Sequence, residues 1–138
     1  LSRGFLLDTN ILSETRRRQA LPAVTAFIHQ TPPERLFVSV LSLGEIRKGI
    51  ALKARSDAAA ALALEEWLAD LAAAFSDRVL PVDRVVAECW GRLSSDRPKP
   101  VIDMLLAATA RVHDLVLVTR NVADAEGLGV PLFNPWLL

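Results

Sequence analysis

The chain has 138 residues, enough to bury one hydrophobic core and too few for two domains of ordinary size. Lysine plus arginine and aspartate plus glutamate each total 16, so no global field draws the chain to nucleic acid or an anionic membrane, and any polyanion site has to be local. A lone cysteine, Cys89, excludes an internal disulfide, no apolar run reaches the roughly 20 residues of a membrane span, and the opening LSRGFLLDTN is too short in its apolar part for a signal peptide. The expectation is one soluble, cytoplasmic domain over residues 1–138.

In chain order, GFLL reads as a short strand that delivers Asp8 to its end, followed by a helix from about Asn10 that Arg16-Arg17-Arg18 would close, complementing its C-terminal dipole. LFVSV is a second strand, LSLGEIRKGIALKA one helix, and SDAAAALALEEWLADLAAAF a long alanine-rich helix. A third strand, RVLPV, leads into DRVVAECWGRLSSD, a helix capped by Asp83. The loop DRPKP precedes PVIDMLLAATARVHD, a helix with Pro100 at its first position, and LVLVT and VPLF supply the last strands. This alternation predicts an α/β fold: a three-layer α/β/α sandwich around a central parallel sheet. Ligands of such sheets sit beyond the carboxyl ends of the strands, where strand order reverses, and Asp8 occupies such an end.

Four carboxylates attract attention: Asp8, Glu45, Asp103 and Asp124. Each has an ordinary alternative. Asp8 can cap the helix after it, worth about 1 kcal/mol. Ser42-Leu43-Gly44-Glu45 matches a capping box in which Glu45 reaches back to the Ser42 amide. Asp103, three residues after Pro100, suits a helix N-terminus, and Asp124 suits a turn. As a set they suggest more, because Asp103 shares its helix face with Ala107 and Ala110, small residues that let another backbone come close. Three carboxylates converging near 5 Å repel by about 3 kcal/mol per pair at an effective dielectric of about 20. Such a cluster raises pKa values or recruits a cation, and oxygen-only ligands select Mg²⁺ or Mn²⁺.

Other chemistries lack support. His29 and His113 have no zinc spacing, Cys89 beside Trp90 reads as core, and the glycines of EGLGV match no phosphate-binding loop. Trp67, Trp90 and Trp136 sit in apolar contexts and read as packing residues, although each ring could stack a base.

LLDTNILSE, SVLSLGEIRKGI, VIDMLLAATA, LVTRN and GLGVPLFNPW, in this order and spacing along essentially the whole chain, resemble the PIN domain, specifically the VapC toxins of its FitB-like group. The resemblance implies the three-layer parallel α/β/α fold, a homodimer, Mg²⁺- or Mn²⁺-dependent ribonuclease activity on an RNA substrate, and a cognate antitoxin that pushes a C-terminal segment into the acidic pocket. By motif it carries the acidic positions to Asp8, Glu45 and Asp103. The fourth position falls at Asn121 in some members and at Asp124 in those that read TRNVxDF, where Ala125 here replaces the usual aromatic. Asp124 is taken as the fourth, Asn121 and Thr119 as polar helpers, and Thr9 and Asn10 as residues that orient Asp8.

The expected reaction is hydrolysis of an RNA phosphodiester at a metal held by Asp8 and Asp103, completed by Glu45 and Asp124, with Glu45 or Asp124 as the proton acceptor. Arg16, Arg47, Lys48 and Arg120 flank these motifs as candidate phosphate contacts, and Leu12, Leu21, Val24 and Phe27 as a candidate dimer or antitoxin surface. Competing readings are weaker. A haloacid-dehalogenase-type phosphatase needs an aspartate where Asn10 stands, and a phospho-accepting receiver domain needs a lysine after a later strand. A catalytically silent binding module would retain the pocket without turnover.

Overall fold

The computed structural model describes residues 3–95 and 99–137. Five short strands, β1 (Phe5–Leu7), β2 (Leu36–Ser39), β3 (Val79–Leu80), β4 (Val116–Val118) and β5 (Leu132–Phe133), form one sheet in the order β3-β2-β1-β4-β5. Every neighbouring pair is parallel, as the alternation of strands and helices predicts. Among the described residues no helix is long and apolar enough to cross a membrane.

Side chains alternate across the sheet, and both faces are apolar because both are covered. On one face Leu7, Leu36, Val38 and Val118 pack with α1 (Thr9–Thr15), α2 (Pro22–Gln30), α3 (Val40–Ala54) and α4 (Ala58–Ala74). On the other, Leu6 and Leu117 pack with Met104, Leu106, Ala107 and Ala110 of α6 (Val101–Val112) and with Ala125 of the short α7 (Val122–Ala125). Helix α5 (Arg84–Ser94) lies against α6 through Val86, Cys89 and Ala108, so Cys89 is a core residue, as expected.

Several helix ends differ from the sequence reading. Helix α3 begins at Val40, with Ser39 as its cap accepting from the Leu41 amide, so Ser42 and Glu45 lie inside the helix and form no capping box. Pro100 is the N-cap of α6 rather than its first residue. Helix α1 ends at Thr15 with Arg16 as its C-cap, so the arginine run closes it from just past its last turn. Leu12 and Val24 are fully buried and Phe27 packs on the core between Phe5 and Phe133, which removes them as a partner surface and leaves only Leu21 exposed. Candidate loop residues of DRPKP before Lys99 lie outside the described residues.

Removing the Leu7 side chain empties a site with no solvent access between β1 and the α1–α4 layer. Leu7→Ala should therefore lower the unfolding free energy by about 2–5 kcal/mol in urea titration. Leu62→Ala, at a side chain 68% exposed on α4, should change it by no more than about 0.5 kcal/mol.

Candidate active site

The site grows out of the sheet register. Leu7 pairs with Val118, so the next residues, Asp8 and Thr119, stand side by side at the carboxyl ends of β1 and β4. By strand alternation both follow Leu6 and Leu117 and point to the face covered by α6. The Thr119 hydroxyl donates to Asp8 Oδ2 at 2.7 Å, and the Asn10 amide donates to Oδ1 at 2.9 Å. The Asn121 amide in turn donates to Thr119 Oγ1 at 3.1 Å. Asp8 is buried and also caps α1, so the two roles weighed for it are compatible. Each of its oxygens accepts one hydrogen bond and keeps lone pairs for a further ligand.

Helix α6 presents its N-terminal turn to the same spot, with Asp103 as the third helical residue and Leu106, Ala107 and Ala110 buried on its inner face. Asp8, Asp103, Leu106, Leu117, Thr119, Asn121, Asp124 and Ala125 line a cavity of about 20 Å³. That is room for one water or one small ion. Burial pushes the Asp103 carboxyl above its ordinary range, and the negative charges of Asp8, Asp124 and Glu45 push it further. Three of the four predicted carboxylates, Asp8, Asp103 and Asp124, thus line one cavity, and Glu45 acts on Asp103 through its charge from outside it. Among the described residues no three Asp, Glu, His or Cys side chains form a ready-made metal cage. The donors are nevertheless all oxygens, and the nearest cation found beside them, Lys99, is 3.9 Å from Asp124. This donor set fits a hard divalent cation, which would relieve the repulsion felt by Asp103.

Glu45 stands slightly apart, on the exposed side of α3, where Thr9 Oγ1 donates to its Oε1 at 2.6 Å. Ser42 Oγ is 2.9 Å from the same Thr9 oxygen. Thr9 therefore orients Glu45 and not Asp8, a correction to the sequence reading; the Asn10 contribution to Asp8 is its backbone amide. Both Asn121 and Asp124 reach the small cavity, and Asp124 sits in the first turn of α7 instead of in a plain turn.

A wide cleft of about 760 Å³ opens beside these carboxylates, bordered by Thr9, Asn10, Glu45 and Asn121. Of the candidate phosphate contacts, Arg16 and Arg120 line it. Arg47 does not: two residues after Glu45, it points toward α4 and pairs with Glu65. Lys48 lies in a shallow depression with Glu45, Val40 and Ile102 outside the cleft. Sequence reasoning missed Lys53, although Glu45, Gly49 and Lys53 recur every four residues and so share one helix face. It also missed Glu14, which accepts from the Leu21 amide at 2.8 Å and from Arg17 at 3.1 Å. These bonds, the amide foremost, hold the Glu14 carboxyl below its usual range against the opposing effect of burial. His29 and His113 are exposed and remote from the site, as expected.

A PIN domain family model matches residues 5–123. Toxin FitB of Neisseria gonorrhoeae is 32% identical over 96% of this chain and 98% of its own length. VapC ribonuclease Y4jK of Sinorhizobium fredii is 28% identical over 96% of this chain and 97% of its own. The crystal structure of FitAcB from Neisseria gonorrhoeae superposes with a TM-score of 0.90 at 31% identity, covering 97% of this chain and 99% of the other.

The raised Asp103 pKa makes a stability prediction. The folded chain holds this proton more tightly than the unfolded one, so ionisation opposes folding. The penalty is absent below the unfolded value of about 3.9, grows as pH rises from there toward the folded value, and stays constant above it. Metal-free Asp103→Asn should accordingly melt above the wild type at neutral pH, with the gap closing in acid; a lower melting temperature at neutrality contradicts this electrostatic account.

Proposed function

This chain belongs to the PIN domain family, and on that premise we propose that it is the toxin of a toxin–antitoxin pair: one nuclease domain that hydrolyses RNA phosphodiester bonds with Mg²⁺ or Mn²⁺. The observation that supports the reading most is the convergence of Asp8, Asp103 and Asp124 on one small cavity, with Glu45 on the adjoining cleft and the Asp103 carboxyl pushed upward by burial and by these charges. It is supported by the likeness to a toxin and to a ribonuclease along nearly the whole chain. The likeness to a toxin along nearly the whole chain supports a cognate antitoxin as its protein partner. The working form is a cytoplasmic homodimer.

In this reading Asp8 and Asp103 would hold the cation, and Asp124 and Glu45 would complete its surroundings. A divalent cation bound there lowers the pKa of a water and neutralises charge developing on the phosphate. The chain's own residues do the rest. Thr119 and the Asn10 amide fix the rotamer of Asp8, so its free lone pairs stay aimed at the cavity without reorganisation. Glu45, held by Thr9, borders the wide cleft through which substrate and water arrive, whereas Asp124 borders only the small cavity. That position favours Glu45 over Asp124 as the acceptor of the attacking water's proton. No side-chain nucleophile is needed.

Purified chain, freed of any co-purified partner, should cleave RNA in Mg²⁺ or Mn²⁺ and stop in EDTA. Asp8→Asn and Asp103→Asn should each lower kcat by at least about 10³-fold while the circular dichroism spectrum stays unchanged. Undiminished metal-dependent cleavage by either variant sinks the assignment. Thr119→Val, which removes the donor to Asp8 and keeps the shape, should cost about 10- to 100-fold in activity or metal affinity. A Thr119→Ser variant should recover most of that loss.

A further inference from the structure

The wide cleft contains features that the carboxylate chemistry does not use. Its walls are the end of α1, one face of α3, Leu64 and Trp67 of α4, and the segments that follow β4 and β5. Two arginine–tryptophan pairs stand in it. The Arg16 guanidinium carbon lies 5.7 Å from the Trp67 ring centre, and that of Arg120 lies 5.3 Å from the Trp136 ring centre. Resting on the ribonuclease reading of the adjoining carboxylates, we propose that this cleft holds an unpaired RNA strand and that the two arginine–tryptophan pairs are its nucleotide subsites.

Charge is the first argument. In a chain with zero formal net charge, Arg16, Arg17, Lys53 and Arg120 gather on this cleft, opposed among its lining residues by Glu14 and Glu45. Glu14 is already bonded to Arg17 and to the Leu21 amide, and Glu45 to Thr9. The cleft therefore offers a local cationic surface of the kind that phosphates select.

The second argument is the pairing of planar groups. Trp67 and Trp136 are half-buried and pack on the core, so their rings are fixed in place while one side faces the cleft. A ring and a guanidinium plane are the two surfaces on which unpaired bases stack, and the same guanidinium can hold the neighbouring phosphate. The cleft volume, about 760 Å³, falls in the range of small-ligand pockets, about 300–1,000 Å³.

Gly49 is the third and independent observation. It lines the cleft in the middle of α3, and a Cβ built there meets nothing within 4 Å. Glycine at a helix interior costs about 1 kcal/mol relative to alanine; Gly44 of α3 and Gly91 of α5 are equally open, so what sets Gly49 apart is its place on the cleft wall beside Glu45 and Lys53. The hollow it leaves is on the same face as Glu45 and Lys53, which is where a strand leading to the carboxylates would rest. Continuity completes the case: Asn121 lines both this cleft and the small carboxylate cavity, and Arg120 directly precedes it. The Trp136–Arg120 pair therefore takes the nucleotide next to the reacting phosphate, and the Trp67–Arg16 pair takes one farther along.

The test is intrinsic tryptophan fluorescence of the Asp103→Asn chain in Mg²⁺, titrated with short oligouridylate, which cannot pair, and with duplex RNA. Saturable quenching by the single strand, weaker with duplex, is expected. Trp136→Leu and Trp67→Leu should each weaken binding about 5- to 100-fold, while Trp90→Phe, on α5 away from the cleft, should leave it unchanged. Gly49→Leu fills the hollow with a better helix former, so it should weaken binding without lowering the melting temperature. Unchanged affinity in Trp67→Leu, Trp136→Leu and Gly49→Leu chains that remain folded overturns the proposal. So does a wild-type cleft that ignores RNA and responds only to the antitoxin polypeptide. Variant-sensitive binding in a chain that never cleaves RNA would uphold the cleft and sink the nuclease reading instead.

Discussion

The hydrogen bond from Thr119 to Asp8, 2.7 Å long, joins the end of β1, the central strand of the sheet, to that of its neighbour β4 and, with the Asn10 amide, fixes the Asp8 carboxylate. Its existence depends on register. Were β4 shifted by one residue against β1, Thr119 would no longer stand beside Asp8 and its hydroxyl would turn to the opposite face. The packing of Leu6, Leu117 and the α6 alanines holds that register, because a slip would carry these side chains out of one core and into the other. The hydrophobic sandwich therefore places the polar site, and the site itself contributes repulsion rather than cohesion.

That repulsion explains the chemistry of the carboxyl edge. A cluster selected for folding alone would place a lysine or arginine among Asp8, Asp103, Asp124 and Glu45. Here Lys99 approaches one of them, and Asp103 still carries a carboxyl pushed above its ordinary range. Sites that retain such strain are the ones that bind a cation or move protons. The neighbouring cleft has the opposite character, with arginines stacked on tryptophans and a glycine hollow. Acidic cavity and cationic cleft side by side suit a polyanion whose backbone lies along the cleft and whose reacting phosphate stops at the mouth of the cavity.

The strands and the grouping of Asp8, Asp103 and Asp124 were legible in the sequence because both leave local marks. GFLL, LFVSV and LVLVT are apolar runs too short for helices, and an acid or a threonine directly after such a run lies at a sheet edge. The helix starts were harder. Val40, β-branched and following Val38 and Ser39, reads as strand, yet it is the first residue of α3, so the cap belongs to Ser39 and the apparent capping box at Ser42 dissolves. Side-chain direction was legible only in part. The four-residue spacing of Glu45, Gly49 and Lys53 marks the cleft face, and the two-residue offset of Arg47 sends it to Glu65 on the far side. The burial of Leu12 and Val24 was not legible, because an apolar residue on a short helix looks the same whether it meets a partner or its own sheet. Trp67 and Trp136 were rightly read as packing residues, but a ring can be anchored on one side and available on the other.

The account's central claim is that the carboxylates at the ends of β1 and α6 form a divalent-metal centre. A crystal of the chain soaked in Mn²⁺ and measured at the manganese absorption edge tests it most directly. The account predicts the strongest anomalous peak among Asp8, Asp103 and Asp124, and its loss in Asp8→Asn. No peak there at saturating Mn²⁺, or a peak that persists unchanged in Asp8→Asn, contradicts it.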